Sequence, residues 1–288
     1  MKEEEKLKSN NYDESQYATM RTAFLTAFPK IFTDIEYSTE IFSNMKDLAI
    51  KNNFSFLPNH FSNEMSVEIE ARHKALNKVL DKYISNDALI IEIATGLSPR
   101  RLQYLDYDYY ELDYEPVIDI KKEIYSTLGY GDFNNGLRGI DITDTVLLHN
   151  CLVEIINAKS YSKVIILNEG LFWYLNREQI KDIANEFCSM LLNRNWFWIT
   201  SDCPTKEKSD AKYRNIISNS AKVKRNTFSD YDDFKTFFLE AGLLSNKNKL
   251  SDFLSYQDLS SAKFLSYTES ETLEKINSYT DIAVLLPE

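Results

Sequence analysis

Apolar residues recur at helical spacing through the first third of the chain and in short strand-like runs thereafter. From Tyr12 to Ile50 they fall at Met20, Phe24, Leu25, Phe28, Ile31, Phe32, Ile35, Ile41, Met45 and Leu48, and Pro29 divides the run. Asn52 to Phe61 holds a proline and several asparagines and reads as a loop. Ser62 to Ile84 reads as one long helix, capped by Ser62 and with Met65, Ile69, Leu76 and Leu80 on one face. Then the period changes. The runs ALIIEIA (88–94), DYYELD (108–113), LRGIDI (137–142), KVIILNE (163–169) and NWFWITSD (195–202) predict strands. Helical patterns at 99–106, 115–128, 144–158 and 176–193 separate and follow them, then a helix at 229–241, a strand at 243–250, a helix at 268–278 and a strand at 280–286. Strands alternating with helices at this spacing imply an α/β fold, a parallel sheet covered by helices on both faces. The predicted organisation is a flexible tail (1–11), an N-terminal helical cap (12–85) and one α/β domain (86–288).

Composition narrows the partners. Apolar residues make up 43% of the 288 and aromatics 13%, enough for a substantial core. The net charge of −11 is spread rather than blocked, which argues against nucleic acid or an anionic membrane surface as the main partner. The longest apolar runs are too short to span a bilayer, and MKEEEKLKSN has no signal-peptide core, so a cytoplasmic location is expected. Cys151, Cys188 and Cys203 lack metal-ligand spacing, so reduced thiols and no metal site are expected.

The candidate chemistry lies after the first strand. In an open parallel sheet, ligands sit at the carboxyl ends of the strands. A dinucleotide site places three glycines in the first turn so that backbone and helix-terminal N–H groups can hold a pyrophosphate. Here the register reads Ala94-Thr95-Gly96-Leu97-Ser98-Pro99. Pro99 stands at the third glycine and has no N–H to donate. Asp113 ends the second strand, where a carboxylate can accept both hydroxyls of a ribose. A nucleoside without phosphate fits this combination, and S-adenosylmethionine is the common cofactor of that kind; NAD on an atypical turn is the alternative. Singly, each residue has a plainer reading: Asp113 can cap the helix starting near Glu115, and Gly96 can be an ordinary turn residue.

IIEIATGLSPRRL, YYELD followed by KK, GIDITD and NEGLFWYL, in this order, resemble the leucine carboxyl methyltransferase family, with its bacterial O-methyltransferase branch. The resemblance implies a Rossmann-like class I methyltransferase sheet, mostly parallel with the last strand antiparallel, and S-adenosylmethionine as cofactor. It implies that Arg72, in EARHKAL, grips the methionine carboxylate, a pairing suited to a planar guanidinium. On its own Arg72 would be a solvated helix arginine. A second basic residue of the N-terminal helices assists in the family, and Arg21 is the nearest candidate. Glu92, Ala94 and Gly96 belong to the first motif, where family members often carry glycine in place of Ala94. The same resemblance implies that Asp113 takes the ribose, Asp141 the adenine amino group, the Ile142 N–H the adenine ring, and Glu169 the amino-acid or sulfonium end.

Methyl transfer from a sulfonium is an in-line displacement in which positioning does most of the work. A carboxylate acceptor is already ionised and needs no base, whereas a phenol or alcohol usually needs one, commonly histidine. His60, His73 and His149 all lie outside the motifs, which favours a carboxylate of a small molecule or peptide terminus as acceptor. Phe172, Trp173 and Tyr174 follow Glu169 at a strand's carboxyl end and are the candidate acceptor wall. No catalytic residue is assigned. A binding protein without turnover and an NAD-dependent oxidoreductase are the competing readings. The sequence leaves the oligomeric state open.

Overall fold

The computed structural model describes residues 22–51, 62–209 and 228–288. Seven strands form one sheet: β1 (Ala88–Ile93), β2 (Asp108–Asp113), β3 (Leu137–Gly139), β4 (Lys163–Asn168), β5 (Trp196–Thr200), β6 (Leu243–Lys249) and β7 (Asp281–Pro287). Their order is β3-β2-β1-β4-β5-β7-β6, and β7 runs antiparallel to both its neighbours. The remaining pairings are parallel. This is a mostly parallel, Rossmann-like α/β sheet, with the last strand of the chain reversed as expected. The order turns at β1 and β4, so their carboxyl ends open a crevice where a ligand can enter.

Alternation along β1 assigns its side chains to two layers. Leu89, Ile91 and Ile93 face one core, shared with α4 (Thr145–Ile156), α5 (Arg177–Met190) and α6 (Tyr231–Leu239). Ala88 and Ile90 face the other, packed on α2 (Asn63–Tyr83) and α7 (Glu269–Tyr279). The Ser62 hydroxyl caps α2, accepting from the Met65 amide at 3.3 Å. α2 lies on the sheet: Ala75, Leu76 and Val79 share a core with Ile90, Ile165 and Leu167. Of the segment 12–85, residues 22–32 and α1 (Ser38–Lys51) pack elsewhere, with Phe24, Ala27 and Met45 against Val117 and Ile118 of α3 (Glu115–Thr127) and Leu97 of the first turn. Residues 1–21, including the expected tail and Arg21, and His60 lie outside the described residues. No helix among the described residues is long and apolar enough to cross a membrane.

Two predicted elements keep only half the length of their sequence patterns. β3 stops at Gly139, because Asp141 turns the chain by accepting from the amide and hydroxyl of Thr143 at 2.9 and 2.7 Å. The helix expected at 99–106 is a single 3-10 turn, Arg100–Gln103. There the Arg101 guanidinium donates to the carbonyls of Tyr104 and Tyr107, and the chain passes directly into β2.

Candidate functional site

The crevice holds a cavity of about 290 Å³, lined from four directions. The first turn contributes Ala94 to Ser98, β2 contributes Asp113, the turn after β3 contributes Ile140, Ile142 and Thr143, and the turn after β4 contributes Glu169 to Leu171 with Trp173 to Leu175. Arg72 of α2, Glu92 of β1, and Thr22, Ala23, Thr26 and Lys30 of the N-terminal segment also line it, and Tyr114, Val117 and Gln179 complete it.

Most of the predicted residues therefore meet. Arg72, Glu92, Ala94, Gly96, Asp113, Ile142, Glu169, Trp173 and Tyr174 line one cavity. Two do not. Asp141 is occupied in its turn with Thr143, and its neighbours Ile140 and Ile142 face the cavity instead. Phe172 is fully buried in the core between Trp198, at a ring separation of 5.4 Å, and Phe238, at 5.8 Å. The turn after β4 sends Trp173 and Tyr174 to the cavity and Phe172 inward, so the expected aromatic wall has two members.

Asp113 closes the first turn. Its carboxylate accepts from the Gly96 and Tyr114 amides, each at 2.7 Å. Tyr114, not Asp113, occupies the N-cap of α3. Burial pushes the Asp113 carboxyl up to about 6, against those two N–H donors and the nearby Lys121 charge. Thr95 is held from behind: the buried Lys121 ammonium donates to its hydroxyl at 2.7 Å and to Glu111, and the Thr95 hydroxyl donates to Glu111 at 2.9 Å. Gly96 adopts φ +52° and Ala94 φ +51°, both left-handed. Alanine is strained there by about 1 kcal/mol. Ala94→Gly is therefore expected to raise the midpoint of thermal unfolding by about 2 °C, and a lowered midpoint would refute the strain.

Opposite Asp113 lies a buried group of charges. Glu169 accepts from Arg100 at 2.9 Å through one oxygen and from Arg72 at 3.3 and 3.4 Å through the other. Arg72 also pairs with Glu68 at 3.0 Å, one turn away on α2. Burial alone would raise the Glu169 carboxyl, but the charges of Arg72, Lys30 and Arg100 outweigh it and hold it well below the usual range. Glu92, though inside an apolar strand, is tolerated because Arg100 pairs with it and the Tyr109 hydroxyl donates to it at 2.6 Å. Burial and then the Arg100 charge keep His73 neutral, well below its ordinary value. Its Nδ1 faces Arg100 at 3.1 Å and its Nε2 faces Gln103 at 3.1 Å, which fixes the proton on Nε2. His149 pairs with Glu186 at 2.8 Å, away from the cavity.

Three residues in and around the site received no role from the sequence. Lys30 is buried on the cavity wall, and burial brings its ammonium down to about 8, with Glu169 opposing. A lysine inside the apolar run FPKIF is the one sequence signal it left. Arg100 lies within the first motif, IIEIATGLSPRRL, but was given no role by it. Asp202, after β5, accepts from the amides of Gly170, Leu171 and Phe172 and so shapes the turn bearing Glu169.

No protein-family profile matches the sequence, and no curated protein does. Among solved structures, the chain is similar to the magnesium protoporphyrin IX methyltransferase of Synechocystis PCC 6803, at 11% identity and TM-score 0.46, over 86% of this chain and 94% of that one. It is similar to an O-methyltransferase of neocarzinostatin biosynthesis at 8% identity and TM-score 0.47, over 87% of this chain and 59% of that one. It is similar to mitomycin 7-O-methyltransferase at 10% identity and TM-score 0.45, over 75% of this chain, and spans 54% of the length of that protein.

Proposed function

We propose that this protein is an S-adenosylmethionine-dependent O-methyltransferase. The observation that carries the reading is one cavity with Asp113 on one side and the Arg72–Glu169 pair on the other. A ribose needs a carboxylate acceptor, and Asp113 offers it beside a turn of close-approaching backbone. An amino-acid tail is a zwitterion. It needs a cation for its carboxylate and an anion for its ammonium, and Arg72 with Lys30 and Glu169 supply both. When bound, the cofactor supplies a methyl group on a sulfonium to an oxygen nucleophile.

The first turn weighs against a dinucleotide. The Gly96 amide is already given to Asp113, Pro99 has none, and a four-residue 3-10 turn stands where a phosphate-binding helix would begin. For the acceptor we favour a carboxylate of a small molecule or peptide terminus, as the motif resemblance to leucine carboxyl methyltransferases suggests. It needs no base, and His73 and His149 are both engaged away from the cavity. Trp173 and Tyr174 are the aromatic groups we assign to the acceptor's side.

Calorimetric titration of the purified protein with S-adenosylhomocysteine and, separately, NAD tests the reading. Binding of the first in the micromolar range and not the second is expected. Binding of NAD alone would overturn it. Homocysteine-containing product formed above background when a cell extract is added distinguishes an enzyme from a binding protein without turnover.

A further inference from the structure

Every guanidinium nitrogen of Arg100 is engaged, yet the residue does not line the cavity. It is fully buried and draws together three parts of the fold. Its Nε donates to Asn77 of α2 at 2.7 Å, one terminal nitrogen pairs with Glu92 of β1, and the other reaches His73 and Glu169. Arg72 differs in each respect. It lines the cavity, its side chain is 10% exposed, and its contacts to Glu169 are longer, at 3.3 and 3.4 Å against 2.9 Å.

From this asymmetry we infer that Arg100 is the fixed counterion of Glu169 and Arg72 the exchangeable one, which makes Arg100 a positioning residue for the amino-acid tail. The inference rests on the cofactor reading above. In this structure Arg72 and Glu169 pair directly with each other. Opening such a buried pair is ordinarily costly, because each partner is left with an uncompensated charge. Here neither is. Arg72 keeps Glu68 on its own helix, and Glu169 keeps Arg100. A ligand carboxylate can then take Arg72, assisted by Lys30, while Glu169 remains ionised and in place to accept from the ligand ammonium. Without Arg100, separating Arg72 from Glu169 would strand the carboxylate, and the preference for a zwitterionic tail would fall.

The role predicts a selective loss. S-adenosylhomocysteine and 5′-methylthioadenosine share the nucleoside, and only the first has the amino-acid tail. Calorimetric titration of both ligands into wild type, Arg100→Lys and Arg100→Met reads the ratio of their affinities. Lysine keeps the charge but cannot span Glu92, His73 and Glu169 together. In Arg100→Lys the preference for S-adenosylhomocysteine is expected to shrink by about tenfold, with 5′-methylthioadenosine affinity within about threefold of wild type. Arg100→Met should shrink it further, and if that variant does not fold, Arg100→Lys decides alone. An unchanged ratio in Arg100→Lys, or equal loss of both ligands, would overturn the positioning role while leaving the cofactor reading intact. Wild-type protein that binds neither ligand overturns the cofactor reading and this role together.

Discussion

Asp113→Asn is expected to weaken S-adenosylhomocysteine binding by about 100-fold at pH 8 while leaving the ligand-free protein no less stable there. The two effects separate because ionised Asp113 is unfavourable to the fold. Its folded-state value of about 6 lies above the unfolded value of about 3.9. Its contribution to stability is therefore fully present below about pH 4 and is lost as pH rises through 6. The ionised carboxylate costs the ligand-free protein up to about 3 kcal/mol above that range, an upper bound. Asparagine avoids that cost and can still accept from one of the two amides, Gly96 or Tyr114. What it loses is the charge-assisted acceptance of two hydroxyls. The same linkage sets the pH dependence of binding. Wild-type affinity should hold above pH 6 and fall about tenfold per unit below it, as protons compete for the carboxylate, while the variant's weaker affinity stays flat. Calorimetry between pH 5 and 8, with thermal unfolding of the ligand-free proteins, measures all of this. A flat wild-type profile would remove Asp113 from the ligand site. A variant destabilised in proportion to its binding loss would make Asp113 a structural residue.

Asp113, Gly96 and Glu169 were legible in the sequence because each stands at a strand end, where position along the chain fixes position in space. Arg72, in the middle of α2, was legible only through the family resemblance. The strands were legible because β1 and β4 are continuous apolar runs and the helices between them keep their period. Arg100, Lys30 and Asp202 were not legible, because their roles depend on partners far away in sequence. Arg100 is defined by residues 73, 77, 92 and 169, and Asp202 by the turn at 170–172. A charged residue beside a motif looks the same whether it faces solvent or holds a buried carboxylate. Phe172 failed for a local reason: in a tight turn, adjacent side chains diverge, so being next to Glu169 did not place it beside the cavity. Asp141 stands outside the cavity lining for a similarly local reason, since an aspartate two residues before a threonine can turn its carboxylate onto that residue.

The largest loss of stability is expected from Asp202→Ala. The Asp202 carboxylate is fully buried and accepts four hydrogen bonds, from the Asn168 side chain at 2.6 Å, the Gly170 amide at 2.8 Å, the Leu171 amide, and the Phe172 amide at 3.0 Å. Burial raises its carboxyl above the ordinary value, and the amides of Phe172 and Gly170, with the Arg72 charge, oppose that rise. Gly170 sits at φ +82°, so the turn depends on both a left-handed residue and an external acceptor for its amides. Alanine leaves those donors without their partner. Each uncompensated buried group costs about 1–3 kcal/mol, and water entering the space recovers part, so a net loss of about 3–5 kcal/mol is expected. Asp202→Asn retains one acceptor oxygen and should fall between. Denaturant unfolding of the ligand-free proteins at neutral pH checks the order, and a change below about 1 kcal/mol in Asp202→Ala would refute it. The same turn carries Glu169 at one end and Trp173 and Tyr174 at the other. Any Asp202→Ala protein that still folds should therefore also bind S-adenosylhomocysteine more weakly, although Asp202 does not itself line the cavity. That second loss is the sign that Asp202 sets the geometry of the turn as well as its stability.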